Sequence, residues 1–302
     1  MKQYVVAIGS TAVDEYYACH SWPVMGDKAF VRFLDKRLGG MISNAACVMA
    51  RYGTPTYLLD ALGQDEDTGL ILDELQEYGV LTGLVQVHEE LRNTKAMIFL
   101  AEGERSILIV ENQKPLGRLS PSQLEIMDGA RFHYASINDF KGVPEHQRWM
   151  PPGRLQPSPA LVFDVEPNSF VSAEADHHYF MAATHLLFNE AGFLKWQDHD
   201  SHEAAVTRLF QGEAKSVVIT LAEKGCRLIT PEFDRVFPGI PVKPVDTTGA
   251  GDTFNATWLT AILRGFSEIK ACQLANKAAA RSIQSMGARS GAVPWETILT
   301  NE

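Results

Sequence analysis

The stretch Asp246-Thr247-Thr248-Gly249-Ala250-Gly251-Asp252 runs directly into a helical pattern that begins at Thr253, and it constrains this chain more than any other feature. Small residues at a helix start let backbone N–H groups approach an anion, and the helix dipole favours negative charge there. A fixed carboxylate beside a bound phosphate is costly unless it accepts the proton of an attacking hydroxyl. Asp252 therefore turns an anion cradle into a candidate for phosphoryl transfer. The same residues also describe an ordinary capped helix with an acid in its first turn, and the stretch alone leaves both readings open.

The flanking patterns predict the fold that would deliver such a helix. Tyr4 to Ile8 reads as a buried strand ending at Gly9-Ser10, with Asp14 in the loop that follows. Ala29 to Leu34, Lys95 to Leu100 and Ser106 to Val110 are strand-like, the last two flanking the polar turn Ala101 to Glu104. The last two have no helix between them and suit antiparallel pairing, and all three are expected in a small antiparallel layer, a lid apart from the main body. Asn44 to Tyr52 and Asp67 to Tyr78 have helical spacing and stop at Gly53 and Gly79. Leu161 to Val165 and Ser216 to Leu221 read as buried strands. Phe254 to Leu263 and Cys272 to Met286 read as helices stopped by Gly265 and Gly287. The expected class is a wound α/β sheet flanked by helices, with a small β-rich lid. The run Pro151 to Pro159 reads as a long loop or a linker, but the same alternation resumes after it. A single domain over 1–302 is expected, with lid segments at about 11–38 and 91–114.

Composition narrows the function. Among 302 residues 45% are apolar, enough for a substantial core. The net charge of −10 opposes general nucleic-acid binding. No apolar run approaches the ~18 residues of a membrane span, and the N-terminus reads as a strand without a signal-peptide cleavage site. A cytoplasmic protein is expected. Cys19, Cys47, Cys226 and Cys272 are widely spaced, without a Cys-x-x-Cys pair, and read as reduced. Gly9-Ser10-Thr11 lacks the Gly-x-Gly-x-x-Gly of a dinucleotide dehydrogenase. His177-His178 and His199-x-x-His202 read as surface histidines. Phe30, Phe33 and Phe99 suit either strand packing or contact with a substrate under the lid.

Asp246 to Asp252 with Thr253-Phe254-Asn255-Ala256 resembles the C-terminal signature of the ribokinase-like (PfkB-type) carbohydrate kinases. Gly39-Gly40-Met41-Ile42-Ser43-Asn44-Ala45-Ala46 resembles the family's Gly-Gly-x-x-x-Asn-x-Ala segment, and Gly63-Gln64-Asp65-Glu66-Asp67-Thr68-Gly69 its Gly-x-Asp-x-x-x-Gly turn. The resemblance extends from Gly9 to Trp295. It implies ATP and Mg²⁺ as cofactors, a sugar-like acceptor and a homodimer formed through the lid. It implies Asp252 as base, with Gly249, Ala250 and Gly251 lining the phosphoryl cradle. Asp14, Gly39, Gly40 and Asn44 would bind the acceptor, a carboxylate being able to accept from two hydroxyls. Asn189, Thr220, Glu223, Gly225 and Asn276 would bind the nucleotide, while Lys224 is not a Walker lysine because no Gly-x-x-x-x-Gly-Lys-Ser/Thr run is present. Asp246 and Thr248, with carbonyls from Ser285 to Gly291, resemble a K⁺ loop.

One departure stands out. Many relatives carry Asn-x-x-Glu where this chain has Asn189-Glu190-Ala191-Gly192, so the acid that helps organise Mg²⁺ is replaced by Gly192. A similar Glu-x-Gly resembles the sulfofructose-kinase branch, and Glu190 is either a substitute acid or a plain helix-start residue. The expected activity is ATP-dependent phosphorylation of a sugar or sugar-like hydroxyl, hexoses and ketoses first. A nucleoside kinase and a catalytically silent sugar-binding regulator are the alternatives.

Overall fold

A computed structural model describes residues 3–22, 24–101, 104–110, 115–151 and 159–300. Position 23 of the first expected lid segment, Glu102, Gly103 and 111–114 of the second, and 152–158 of the proline-rich run lie outside the described residues. The first strand, β1 (Val5–Ile8), is buried along its whole length. Val5 and Ala7 face one core and Val6 and Ile8 the other, the two-residue period of a strand covered on both sides.

From β1 the chain leaves the main sheet as β2 (Ala12–Cys19) and β3 (Val31–Gly39), then returns through α1 (Met41–Arg51) to β4 (Thr56–Leu59). A two-stranded ribbon, β5 (Ala61–Gly63) and β6 (Gln86–His88), brackets α2 (Thr68–Tyr78), and β7 (Thr94–Ala101) and β8 (Glu104–Val110) rejoin the second sheet. After α3 (Pro121–Gly129) come β9 (Phe132–Ala135), α4 (Ile137–Lys141), β10 (Ala160–Val165), α5 (His177–Ala182) and β11 (His185–Asn189). Next are α6 (Glu190–Gln197), α7 (His202–Leu209), β12 (Ser216–Thr220), β13 (Gly225–Ile229) and β14 (Asp234–Pro238). The helices α8 (Ala250–Leu263), α9 (Glu268–Ser282) and α10 (Trp295–Leu299) close the chain.

The main sheet has eight strands in the order β14-β13-β12-β11-β10-β9-β1-β4, parallel from β12 to β4 and antiparallel at β13 and β14. Helices α1, α2, α8, α9 and α10 cover one face and α3 to α7 the other. Of these α8 is the most enclosed, every residue from Thr253 to Ala261 being buried. Trp258 alone would cost about 3–5 kcal/mol if cut to Ala. Strand order reverses around β1 and β9, and the crevice beyond the carboxyl ends of parallel strands is where open α/β sheets bind ligands.

The second sheet, β3-β2-β7-β8, draws its strands from the two stretches expected to form a lid, with two corrections. Asp14 belongs to β2, not to a loop. The layer is also not purely antiparallel, because its two hairpins join through β2 and β7, which run parallel. Phe30, Phe33 and Leu108 are exposed, whereas Ile98 in β7 is buried. Phe99 stacks on Tyr17 at 5.4 Å, and Phe33 meets Tyr17 edge-on at 5.8 Å, which favours packing for both. Several helix bounds also move: α1 starts at Met41, ahead of Asn44, and α8 at Ala250, ahead of Phe254. Ser267 caps α9 with its side chain accepting from Lys270 N, so that helix starts and ends four residues early. The backbone then turns so that Ile283 O accepts from Val245 N, which brings the 283–291 segment to the head of α8. All four cysteines are free and buried, and no helix among the described residues is long and apolar enough to cross a membrane.

Candidate active site

The head of α8 is built around Gly249. Its φ of +76° suits glycine, and a Cβ there would run into the Ala288 carbonyl oxygen. Asp246 braces the same junction, one carboxylate oxygen accepting from Thr248 N at 3.0 Å and the other from Gly287 N at 2.9 Å. Ala250 N turns back to Thr247 O at 3.3 Å, while the N–H groups of Gly251 and Asp252, in the first turn, have no acceptor inside the helix, and Gly251 lines the crevice. The space beside Gly251 is open.

Asp252 lies on the first turn of α8, and its Oδ2 accepts from Asn44 Nδ2 at 2.8 Å. Burial pushes its carboxyl well above the usual carboxylate range; Asn44 opposes the shift, the charges of Asp164 and Glu166 add to it, and Arg289 opposes it. A general base is most effective when its pKa lies near the working pH. Asn44 stands on α1, whose start is set by Gly39 and Gly40. A Cβ on Gly39 would collide with the Asp14 carboxylate, and Gly40 has a φ of +102°. Asp14 on β2 is thereby held against the start of α1, its pKa raised by burial to about 6 against the pull of Arg289. Asp14, Gly39, Gly40, Asn44 and Asp252, taken from three distant parts of the sequence, thus border one another.

At the end of β10, Asp164 is buried and accepts from Tyr134 Oη at 2.6 Å. Burial raises its pKa to about 7. Glu166 follows, exposed. The departure at Gly192 is written into the backbone: a Cβ there would meet the Val165 carbonyl oxygen, so no larger residue fits the present path of α6. Asn189 caps that helix, its Oδ1 accepting from Gly192 N at 2.7 Å. Glu190 opens α6 in an exposed position, and the acids that act on Asp252 are Asp164 and Glu166. Gly192→Ala is expected to lower Tm measurably, since overpacking of this kind typically costs about 1–3 kcal/mol; an unchanged melting curve would remove the steric argument.

A cleft of about 690 Å³ runs from the Gly251 side of α8 to β12 and β13. Of the residues expected at the nucleotide, Thr220, Glu223, Gly225 and Asn276 line this cleft and Asn189 does not. The amide of Asn276 donates to Phe237 O and Pro238 O, both at 3.1 Å, so it braces the wall formed by the end of β14. The apolar lining from Ile240, Pro241, Val242, Pro244 and Ile283 suits a flat aromatic base, with Thr247 and Gly251 at the phosphate end.

Residues 2–136 and 161–296 match the pfkB family carbohydrate kinase description. The chain belongs to the pfkB family of carbohydrate kinases. It is therefore an ATP-dependent sugar kinase. Ribokinase of Bacillus subtilis is 29% identical over 304 residues, covering 95% of each chain. Probable fructokinase-5 of Arabidopsis thaliana is 27% identical over 240 residues, 75% of this chain and 74% of that one. Among solved structures, the Arabidopsis thaliana ribokinase complexed with ribose and ATP superposes with a TM-score of 0.81 at 24% identity, over 99% of this chain and 98% of that one. The nucleoside kinase of Methanocaldococcus jannaschii reaches 0.84 at 18% identity, over 99% and 97%. The last two likenesses concern the fold.

Sequence reading of this kinase missed Asp164, Glu166, Tyr134 and Arg289. An acid inside the apolar run Leu161 to Val165 was a usable signal for Asp164, because an unpaired carboxylate is rarely fully buried. Nothing local marks Arg289. His199 is fully exposed, in keeping with a surface histidine.

Proposed function

We propose that this kinase phosphorylates a hexose or ketose, with Asp14 and Asn44 holding the acceptor and Asp252 taking the proton of the attacking hydroxyl. The observation that carries this reading is the 2.8 Å bond from Asn44 Nδ2 to Asp252 Oδ2, which sets a sugar-type amide on the base beside the open head of α8. The N–H groups of Gly251 and Asp252 receive the transferring phosphoryl, and Gly249 and Ala250 shape the turn that aims them. Thr220, Glu223 and Gly225 border the nucleotide, Asn276 bracing their wall, and Asn189 acts at a distance by capping α6.

The donor set near the base fits Mg²⁺. Asp164, Glu166 and the buried Asn255 Oδ1, which has no hydrogen-bond partner, are all oxygen ligands of the kind a hard cation takes. Asp164 and Glu166 would hold the ion through its waters, and Glu190, exposed at the start of α6, would be a substitute acid only if it turned toward them. When bound, Mg²⁺ neutralises phosphate charge. The loop that Asp246 braces to Gly287 would hold K⁺ through Thr248 and the carbonyls of 285–291. Four buried free cysteines are consistent with a cytoplasmic location.

A coupled ADP-release assay across hexoses, ketoses, keto-deoxy acids, sulfosugars and nucleosides, run with K⁺ and with Na⁺, tests the reading. Hexose- or ketose-dependent ADP release is expected; a response to nucleosides alone would overturn it.

The lid supports a dimer. Phe30 and Phe33 at β3, and the β8 run Ile107, Leu108, Ile109 and Val110, leave both outer strands of the lid sheet with exposed apolar side chains, and such edges invite pairing. A homodimer through the lids is expected by light scattering at micromolar concentration, with Leu108→Glu shifting it toward monomer. A wild-type monomer at that concentration removes the dimer.

A further inference from the structure

The Asn44 carboxamide lies between two groups of opposite chemistry. One end meets Asp252, and the other meets Arg289, whose Nε donates to Asn44 Oδ1 at 3.1 Å. An asparagine amide can be placed either way round, but an arginine side chain only donates. The atom facing Arg289 must therefore be the oxygen, and the NH₂ must face Asp252. Arg289 is itself held: Nη1 donates to Glu74 Oε1 at 2.7 Å, Nη2 to Ser43 Oγ at 3.3 Å, and its guanidinium lies 5.6 Å from the Tyr78 ring. It is 7% exposed.

We propose that Arg289 is a positioning residue for the transfer reaction: it fixes the Asn44 amide so that Nδ2 holds Asp252 Oδ2 and leaves Oδ1 to the acceptor hydroxyl. The proposal rests on Asp252 being the base of the sugar kinase. Without the guanidinium the amide is free to turn, its oxygen then faces a carboxylate, and that arrangement favours the protonated acid. The groups acting on Asp252 are Asn44 from α1, Asp164 and Glu166 from the end of β10, and Arg289 from the segment after α9; Tyr134 from β9 donates to Asp164. Of these only Arg289 is cationic. Asp14 on β2 feels the same guanidinium. Glu74 anchors Arg289 from α2, so five separate elements set the geometry at one carboxylate.

The test titrates the Asp252 carboxyl by ¹³C NMR in wild type, Arg289→Met and Arg289→Lys, alongside the pH profile of kcat/KM for the best sugar. In Arg289→Met the titration and the acidic limb are expected to move up by about one pH unit or more, with kcat reduced and KM for ATP unchanged. Lys keeps a charge and one donor and should recover part of the shift. In an Asn44→Ala background most of the effect of Arg289→Met should vanish. A merely structural role would lower Tm in both variants and leave the titration unmoved. A titration in Arg289→Met or Arg289→Lys that coincides with wild type overturns the proposal, as does an undiminished shift in the Asn44→Ala background. Should Arg289→Met fail to fold, Arg289→Lys decides alone. The NMR titration needs no turnover, so a wild type inactive on every sugar would remove the functional reading while the titration still judged Arg289.

Discussion

Asp252→Asn is expected to lower sugar-dependent turnover by roughly 10²- to 10⁴-fold, the contribution general-base catalysis typically makes. The substitution keeps the shape of the side chain, the first turn of α8 and an oxygen for Asn44 Nδ2, so ATP should bind as before. Stability should move the opposite way. The folded pKa of Asp252 lies above its unfolded value because burial disfavours the charge. The folded state therefore bears a penalty that develops as pH rises from the unfolded pKa toward the folded one and persists above it. Asn carries no charge, so Tm at neutral pH should hold or rise while turnover collapses. ADP release and a melting curve on the same preparation check both halves. Near-normal turnover would exclude Asp252 as the base, and a large fall in Tm would show that the carboxylate braces the fold.

Asp14→Ala should weaken acceptor binding by about 10- to 150-fold for each hydroxyl it loses, from charge-assisted hydrogen bonds worth roughly 1.5–3 kcal/mol apiece. The phosphate cradle lies on α8 and is untouched, so ATP affinity should not change. The same residue predicts a pH dependence. Burial pushes its carboxyl up to about 6, and the ionised form is the one that gives charge-assisted bonds to two hydroxyls, so acceptor affinity should decline as pH drops below about 6. Calorimetry at pH 5 and 7.5 would show this decline in wild type and its absence in Asp14→Ala. Unchanged sugar affinity in the variant removes Asp14 from the site.

Much of the fold and the cradle is legible in the amino-acid sequence. Apolar runs of four to six residues alternating with helical spacing identify the wound sheet, because a strand covered on both faces has to be apolar throughout. Gly249, Gly251 and Asp252 mark the cradle, since the requirement for small residues and a carboxylate at a helix start is local. What stays hidden depends on distance along the chain. Asp14 reads as a loop residue because β2, half-exposed and polar, has no apolar periodicity of its own; it is a strand only because β3 and β7 pair with it.

Gly192 can be read as a loss, but not as a steric necessity, because the Val165 oxygen that forbids a side chain on this α6 residue belongs to β10, 27 positions earlier in the chain. Arg289 gives no signal at all: its partner Asn44 is 245 residues away, and the role lies in that single hydrogen bond. The sequence by itself determined the sheet class and marked the glycine-rich start of α8, with Asp252 in its first turn, as the place to look for a base. Only the tertiary structure decided which way the Asn44 amide faces and which acids surround Asp252, because burial and charge proximity are properties of packed neighbours and are not encoded in any one segment.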